Sequence, residues 1–120
     1  MRMTVKQLNE LVKKAENRLR NDDPVFAAEK LYKAAEESIK ILAIKNEIAE
    51  EDETKWNTYK LNECAKALAA FYGKNLKDNW DIALHQLHME GFHENNLKPE
   101  DILVCIHNIT DLIEIVEDNA

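Results

Sequence analysis

Asp22, Asp23, Pro24, Val25, Phe26, Ala27, Ala28, Glu29, Lys30, Leu31, Tyr32, Lys33, Ala34, Ala35, Glu36, Glu37, Ser38, Ile39 and Lys40 run without a break and spell out a helix from its cap onward. A carboxylate able to accept from the free N–H groups of a first turn stands directly before a proline, whose fixed φ suits the first helical position. Ala28, Tyr32, Ala35, Ile39 and Leu42 then recur at steps of three and four, which puts them on one face. Glu29 precedes Lys33 and Glu36 precedes Lys40 by four residues on the other face, the favourable order for ion pairs, each worth a few tenths of a kcal/mol. The pattern predicts a long helix from Pro24 to about Ile48.

On the N-terminal side, Thr4 can cap a helix running to about Arg20, with Val5, Leu8, Val12, Ala15 and Leu19 as its buried stripe and Asn21 and Asp22 as its end. On the C-terminal side, Glu50, Glu51, Asp52 and Glu53 read as a solvated connection, without the glycine and spaced ligands of a calcium loop. A third helix is expected to start near Thr54 or Thr58, to bury Leu61, Cys64, Ala65, Leu68, Ala69 and Tyr72, and to stop at Gly73 in a left-handed cap. Asp78 reads as the cap of a fourth, with Trp80, Ala83, Leu84 and Leu87 facing inward and Gly91 ending it or bending it near Phe92. Lys98, Pro99, Glu100 and Asp101 open a fifth, lined by Ile102, Ile106, Ile109, Ile113 and Val116. Short connections between such helices favour antiparallel neighbours. The expectation is an all-α, up-and-down bundle of four main helices plus an additional helix, as a single domain over residues 1–120.

Composition agrees, since 45% hydrophobic residues with only 2 Gly and 2 Pro leave little punctuation for short strands. No apolar run approaches the roughly 20 residues that span a bilayer, and Met1 to Lys6 lack the apolar middle of a signal peptide, so a cytoplasmic protein without membrane contact is expected. Cys64 and Cys105 fall on apolar helix sides and read as reduced core thiols. The net charge of −7 argues against a surface that grips nucleic acid throughout. Residues 1–20, however, hold six cations against Glu10 and Glu16, a balance of +4, which leaves −11 for residues 21–120. Arg2, Lys6, Lys13 and Arg20 project into one narrow sector of that first helix. Such a stripe can touch RNA phosphate or dock on the protein's own acidic body, and no neighbouring aromatic residue is there to stack a base.

Residues 24–44, with their small-residue, tyrosine-bearing face and alternating charge, resemble the second helix of the HEPN superfamily of helical domains. The phrase Trp80, Ala83, Leu84, Leu87, His88, Gly91, Phe92, His93, Glu94 resembles the archaeal PaREP branch of it. The resemblance spans about residues 5–116 in helix order. It implies a four-helix bundle, frequent homodimers and, in some relatives, ribonuclease toxins or partners of small nucleotidyltransferases. The ribonuclease members resemble one another in an arginine followed four to six residues later by a histidine. This chain has no such pair: its arginines are Arg2, Arg18 and Arg20, and its histidines are His85, His88, His93 and His107. That catalytic role has no positions here to occupy, and a non-catalytic interaction protein is the resulting expectation.

Asp81, His85, His88 and Phe92 lie within about 60° on a helical projection. Two imidazoles and a carboxylate on one face can bind a transition metal or move protons, and a bend at Gly91 would let His93 join them. The same stripe reads more simply as a half-buried polar seam between helices or subunits, because the third and fourth ligands of a closed metal site are not evident. His107, near Asp111 and Glu114, reads as an exposed histidine among acids. Leu103, on the outer side of the last helix, widens its apolar arc in a way that a second copy of the chain would cover. No glycine-rich phosphate loop occurs, and no cofactor is expected.

Overall fold

The structure is a computed structural model, and it describes residues 2–50 and 56–119. Thr54, Glu51, Asp52 and Glu53, which the sequence placed at the start of a helix and in a solvated connection, lie outside these residues. Among the described residues every regular element is helical: α1 (Val5–Arg20), α2 (Pro24–Lys45), α3 (Thr58–Tyr72), α4 (Lys74–Ile82), a π-helical segment (Ala83–His93), α5 (Pro99–Leu103) and α6 (Ile106–Asp118).

The helix starts follow their caps. Thr4 accepts from the N–H of Gln7, whose side chain accepts from the N–H of Thr4, a reciprocal capping box. Asp23 accepts from Phe26 with Pro24 at the first helical position, and Asn57 accepts from Lys60 to open α3 at the later of the two expected starts. Arg18 ties the α1–α2 turn by donating to Asp23 at 3.2 Å while lying over the Phe26 ring.

α2 is the axis of the molecule and packs against α1, α3, the π-helical segment, α5 and α6. Its alanines allow this: Ala27, Ala28, Ala34, Ala35 and Ala43 are all fully buried, so helices approach it from several sides. The charges opposite the apolar stripe are themselves partly buried. Glu37 and Lys40 are only 5% and 8% exposed, and while Glu36 pairs with Lys40 as spaced, Lys33 reaches forward to Glu37. A helix surrounded on most sides cannot keep one whole face in water.

Several expected helix ends and caps also differ. α2 stops at Lys45 instead of Ile48, because Asn46 folds back to donate to the Leu42 carbonyl and to the Tyr72 hydroxyl, and Glu47 takes a positive φ of 61°. Gly73 turns the chain from α3 into α4 in one residue at φ 98°, ψ 166°. That is an extended mirror-image conformation open to glycine, not the left-handed cap expected. Asp78 is consequently interior to α4, where it pairs with Lys74 at 3.5 Å, and does not cap it. The last helix breaks after Leu103, with Cys105 N–H bonding to the Ile102 carbonyl and Asn108 N–H to that of Cys105. These short i to i−3 bonds tighten the turn while Ile102, Ile109, Ile113 and Val116 stay in the core. Gly91, finally, does not end its helix: the π-helical segment continues through it to His93. A Cβ at Gly91 would stand 2.8 Å from the Cβ of Ala28, so the missing side chain serves close packing on α2.

Cys64 and Cys105 are both buried, and neither is in a disulfide. No described helix is long and apolar enough to cross a membrane.

Candidate functional site

The π-helical segment rearranges the histidine stripe. In an α-helix residues five apart face directions about 140° apart, whereas π-type i to i+5 bonding brings them to within about 50°. His88 and His93 therefore meet, their Nε2 atoms 3.2 Å apart and their rings nearly perpendicular. Phe92 lies against both rings, at 5.2 Å from His93 and 6.4 Å from His88.

Tyr32 of α2 forms the floor. Its ring stacks on His88 with centroids 4.1 Å apart and leans on Trp80, which is itself anchored by donating Nε1–H to Asn62 at 2.7 Å. The chain of contacts from α3 through Trp80 and Tyr32 fixes the His88 ring plane. Burial lowers the pKa of His88 from its ordinary 6.5, the adjacent His93 lowers it further, and the Glu36 carboxylate partly opposes both. Burial and then Glu36 also push the Tyr32 phenol well above its usual range. Near neutral pH the site is thus a neutral phenol under a neutral His88, with His93 exposed at its mouth.

The other members of the expected stripe go elsewhere. Asp81 is engaged by Lys77, four residues earlier, and His85 is exposed. Of Asp81, His85, His88 and His93, the structure brings together the last two. Among the described residues no group of three or more His, Cys, Asp or Glu side chains is gathered tightly enough to hold a metal ion. Tyr32 and Glu36, which border the pair, read in the sequence as a core aromatic and a member of an exposed ion pair. His93 was expected to reach the stripe through a bend at Gly91; it meets His88 through the π-type register instead, which an α-helical wheel does not show.

The basic stripe of α1 is also divided. Arg2 approaches Glu37 at 3.8 Å, Lys6 and Lys13 border a hollow that Glu10 and Glu117 share, and Arg20 sits beside Glu16 and Glu100. His107 is exposed and donates Nδ1–H to the Val104 carbonyl at 2.9 Å.

A second surface gathers at α5. Leu103 and Val104 are 59% and 67% exposed at the break between α5 and α6. Leu103 borders a cleft of about 300 Å³ with Leu19, Pro99, Glu16, Arg20 and Glu100. Val104 borders a neighbouring hollow with Leu97 and Ile82. The result is an apolar edge carrying charges of both signs.

The model of the archaeal PaREP1/PaREP8 family matches residues 3–113. Among solved structures, the chain is similar to a crystal structure of a protein from Sulfolobus solfataricus, with a TM-score of 0.83 and 30% identity over 98% of both chains. It is also similar to a solution structure of the Orf c02003 protein, with a TM-score of 0.74 and 31% identity over 90% of this chain and 86% of that one. No curated protein matches.

Proposed function

We propose, for a chain that belongs to the archaeal PaREP1/PaREP8 family, the role of a HEPN-like helical interaction module that works by pairing with a second copy of itself and performs no chemistry alone. The observation that carries this reading is the apolar edge at α5. Leu103 and Val104 stand mostly in water although their neighbours Ile102 and Cys105 are buried. Adjacent apolar side chains left this open on a helix junction are what an interface covers. A second copy is the occupant that the charges favour. Arg20 and the carboxylates of Glu16 and Glu100 border the same apolar cleft, so a two-fold rotation sets the cation of each copy against the acids of the other.

The arrangement around the histidines supports the non-catalytic part. Phosphodiester cleavage needs a positioned cation near the phosphate as well as a proton carrier. Arg18 is held at Asp23, Arg2 Nη1 stands 3.8 Å from Glu37, Arg20 lines the α5 cleft, and Lys77 is engaged by Asp81. Light scattering on the purified chain at high micromolar concentration tests the pairing. The expected mass is twice 13.9 kDa, falling to 13.9 kDa in Leu103→Asp with an unchanged helical circular dichroism spectrum. A wild-type mass of 13.9 kDa removes the proposal, and RNA cleavage that survives repurification and vanishes in a His88→Ala, His93→Ala double variant replaces it with a hydrolase.

A further inference from the structure

We infer that His88 and His93 form a two-histidine site for a divalent late transition-metal ion such as zinc, with water filling the remaining positions, and that the π-helical backbone exists in the register this site requires. The separation of the two nitrogens carries the first half. Ligands bound to one tetrahedral zinc at about 2.0–2.1 Å each stand about 3.3–3.4 Å from one another. The two Nε2 atoms, 3.2 Å apart, are already at that spacing. Both rings bind as the Nδ1–H tautomer, with the Nε2 lone pairs free for the ion. Imidazole nitrogens with open water positions suit zinc, nickel or copper and do not suit magnesium or calcium.

The surroundings fit a cation. His88 is held by the Tyr32 ring and Phe92, so it loses little freedom on binding, and His93 is exposed and gives the ion an entry path. The alternative, in which one imidazole donates a hydrogen bond to the other, leaves one Nε2 protonated and needs no metal. The two accounts differ in whether zinc binds.

The second half follows from the backbone. His88 and His93 converge in the π-type i to i+5 register and point apart in the α-helical one, so an ion that bridges them favours the π-helical register. Metal and register are then linked, each stabilising the other.

The test is zinc chloride titrated calorimetrically into the metal-stripped full chain, with cobalt(II) visible absorption as a second readout of ligand geometry. The expected result is one ion per chain. Because loss of a direct ligand costs at least as much as loss of an outer hydrogen-bond partner, His93→Gln should weaken binding by about tenfold or more. His85→Gln and His107→Gln should leave it unchanged. Zinc should raise the unfolding temperature of the wild type and not that of His93→Gln, whose exposed position lets the metal-free fold persist even where His88→Gln disturbs the Tyr32 stack. Zinc that fails to bind, or binding that survives in His93→Gln, or binding lost equally in His85→Gln overturns the site.

Discussion

Gly91 and Ala28 show how one missing methyl group sets the distance between two helices. In an exposed helix, Gly→Ala is stabilising by about 1 kcal/mol through backbone entropy. Here the new Cβ would meet the Ala28 Cβ at 2.8 Å and the Gln86 carbonyl at 3.2 Å, and neither atom can move without its backbone. Overpacking costs about 1–3 kcal/mol, which exceeds the entropic gain. Gly91→Ala is therefore expected to lower the urea midpoint, and Ala28→Gly added to it should recover part of the loss, the sign of a shared contact. Cys105 offers a test of opposite chemistry. Burial and then the Asp101 carboxylate raise its pKa from 9.0, and its Sγ donates to the Asp101 carbonyl at 3.4 Å. A raised folded-state value means that the thiol contributes stability below the unfolded pKa of 9.0 and loses that contribution as pH rises through the folded one. In a Cys64→Ala background, the chain that keeps Cys105 should lose more stability between pH 8 and about pH 10 than its Cys105→Ala counterpart. Equal losses would mean that the native thiol ionises as freely as the unfolded one.

At the scale of elements, the starts of α1 and α2 were legible because each depends on a few adjacent residues, Thr4 with its first turn and Asp23 with Pro24, while the start of α3 was left between Thr54 and Thr58 until the Asn57 cap placed it at the latter. The existence of helices around Trp80 and along the last isoleucines was legible for the same reason, since apolar spacing is a local signal. What escaped was set at a distance. The end of α2 depends on Asn46 meeting Tyr72, a residue of another helix. Gly73 was correctly singled out, but its ψ of 166° is fixed by how α4 must leave α3, and the Lys74–Asp78 and Lys77–Asp81 spacings were the overlooked sign that the helix resumes at once. The site was legible only in part for a comparable reason. His88 was read into a stripe with Asp81 and His85, which the structure does not bring to it, and His93 was expected to arrive by a bend at Gly91; the π-type register that brings His93 to His88 is invisible to a wheel drawn at 100° per residue. A π-helical stretch of 11 residues is long for a conformation that mostly appears as single-turn bulges, and its hydrogen-bonding geometry is the less common one. Its persistence depends on tertiary contacts such as Gly91 against Ala28 and His88 against Tyr32.

Across the whole molecule, one polar network joins segments that are far apart in the chain. Arg2 ahead of α1, Lys33, Glu36, Glu37 and Lys40 of α2, and Trp56 ahead of α3 meet around the buried Glu37 and Lys40. Lys40 Nζ lies 3.1 Å from Glu36 and 3.3 Å from Glu37, with the Trp56 ring at 5.6 Å. Glu37 has Lys33 at 3.6 Å and Arg2 at 3.8 Å as its other cations. Through Arg2 the network also attaches the positive first segment to the acidic remainder, which is the larger-scale use of the uneven charge. Ions so little exposed are expensive to bury, and removing one partner leaves the other without compensation, typically at a cost of about 3–5 kcal/mol. Lys33 and Arg2 would still face Glu37 after loss of Lys40, though at the long end of ion-pair distance, so Lys40→Met is expected to cost about 2–4 kcal/mol. Neutralising the stranded acid should return part of this. The double variant Lys40→Met, Glu37→Gln should unfold at a higher guanidinium concentration than Lys40→Met alone. If the two unfold together, the carboxylate of Glu37 was never dependent on Lys40, and the stability of α2 rests on its alanine-lined packing instead.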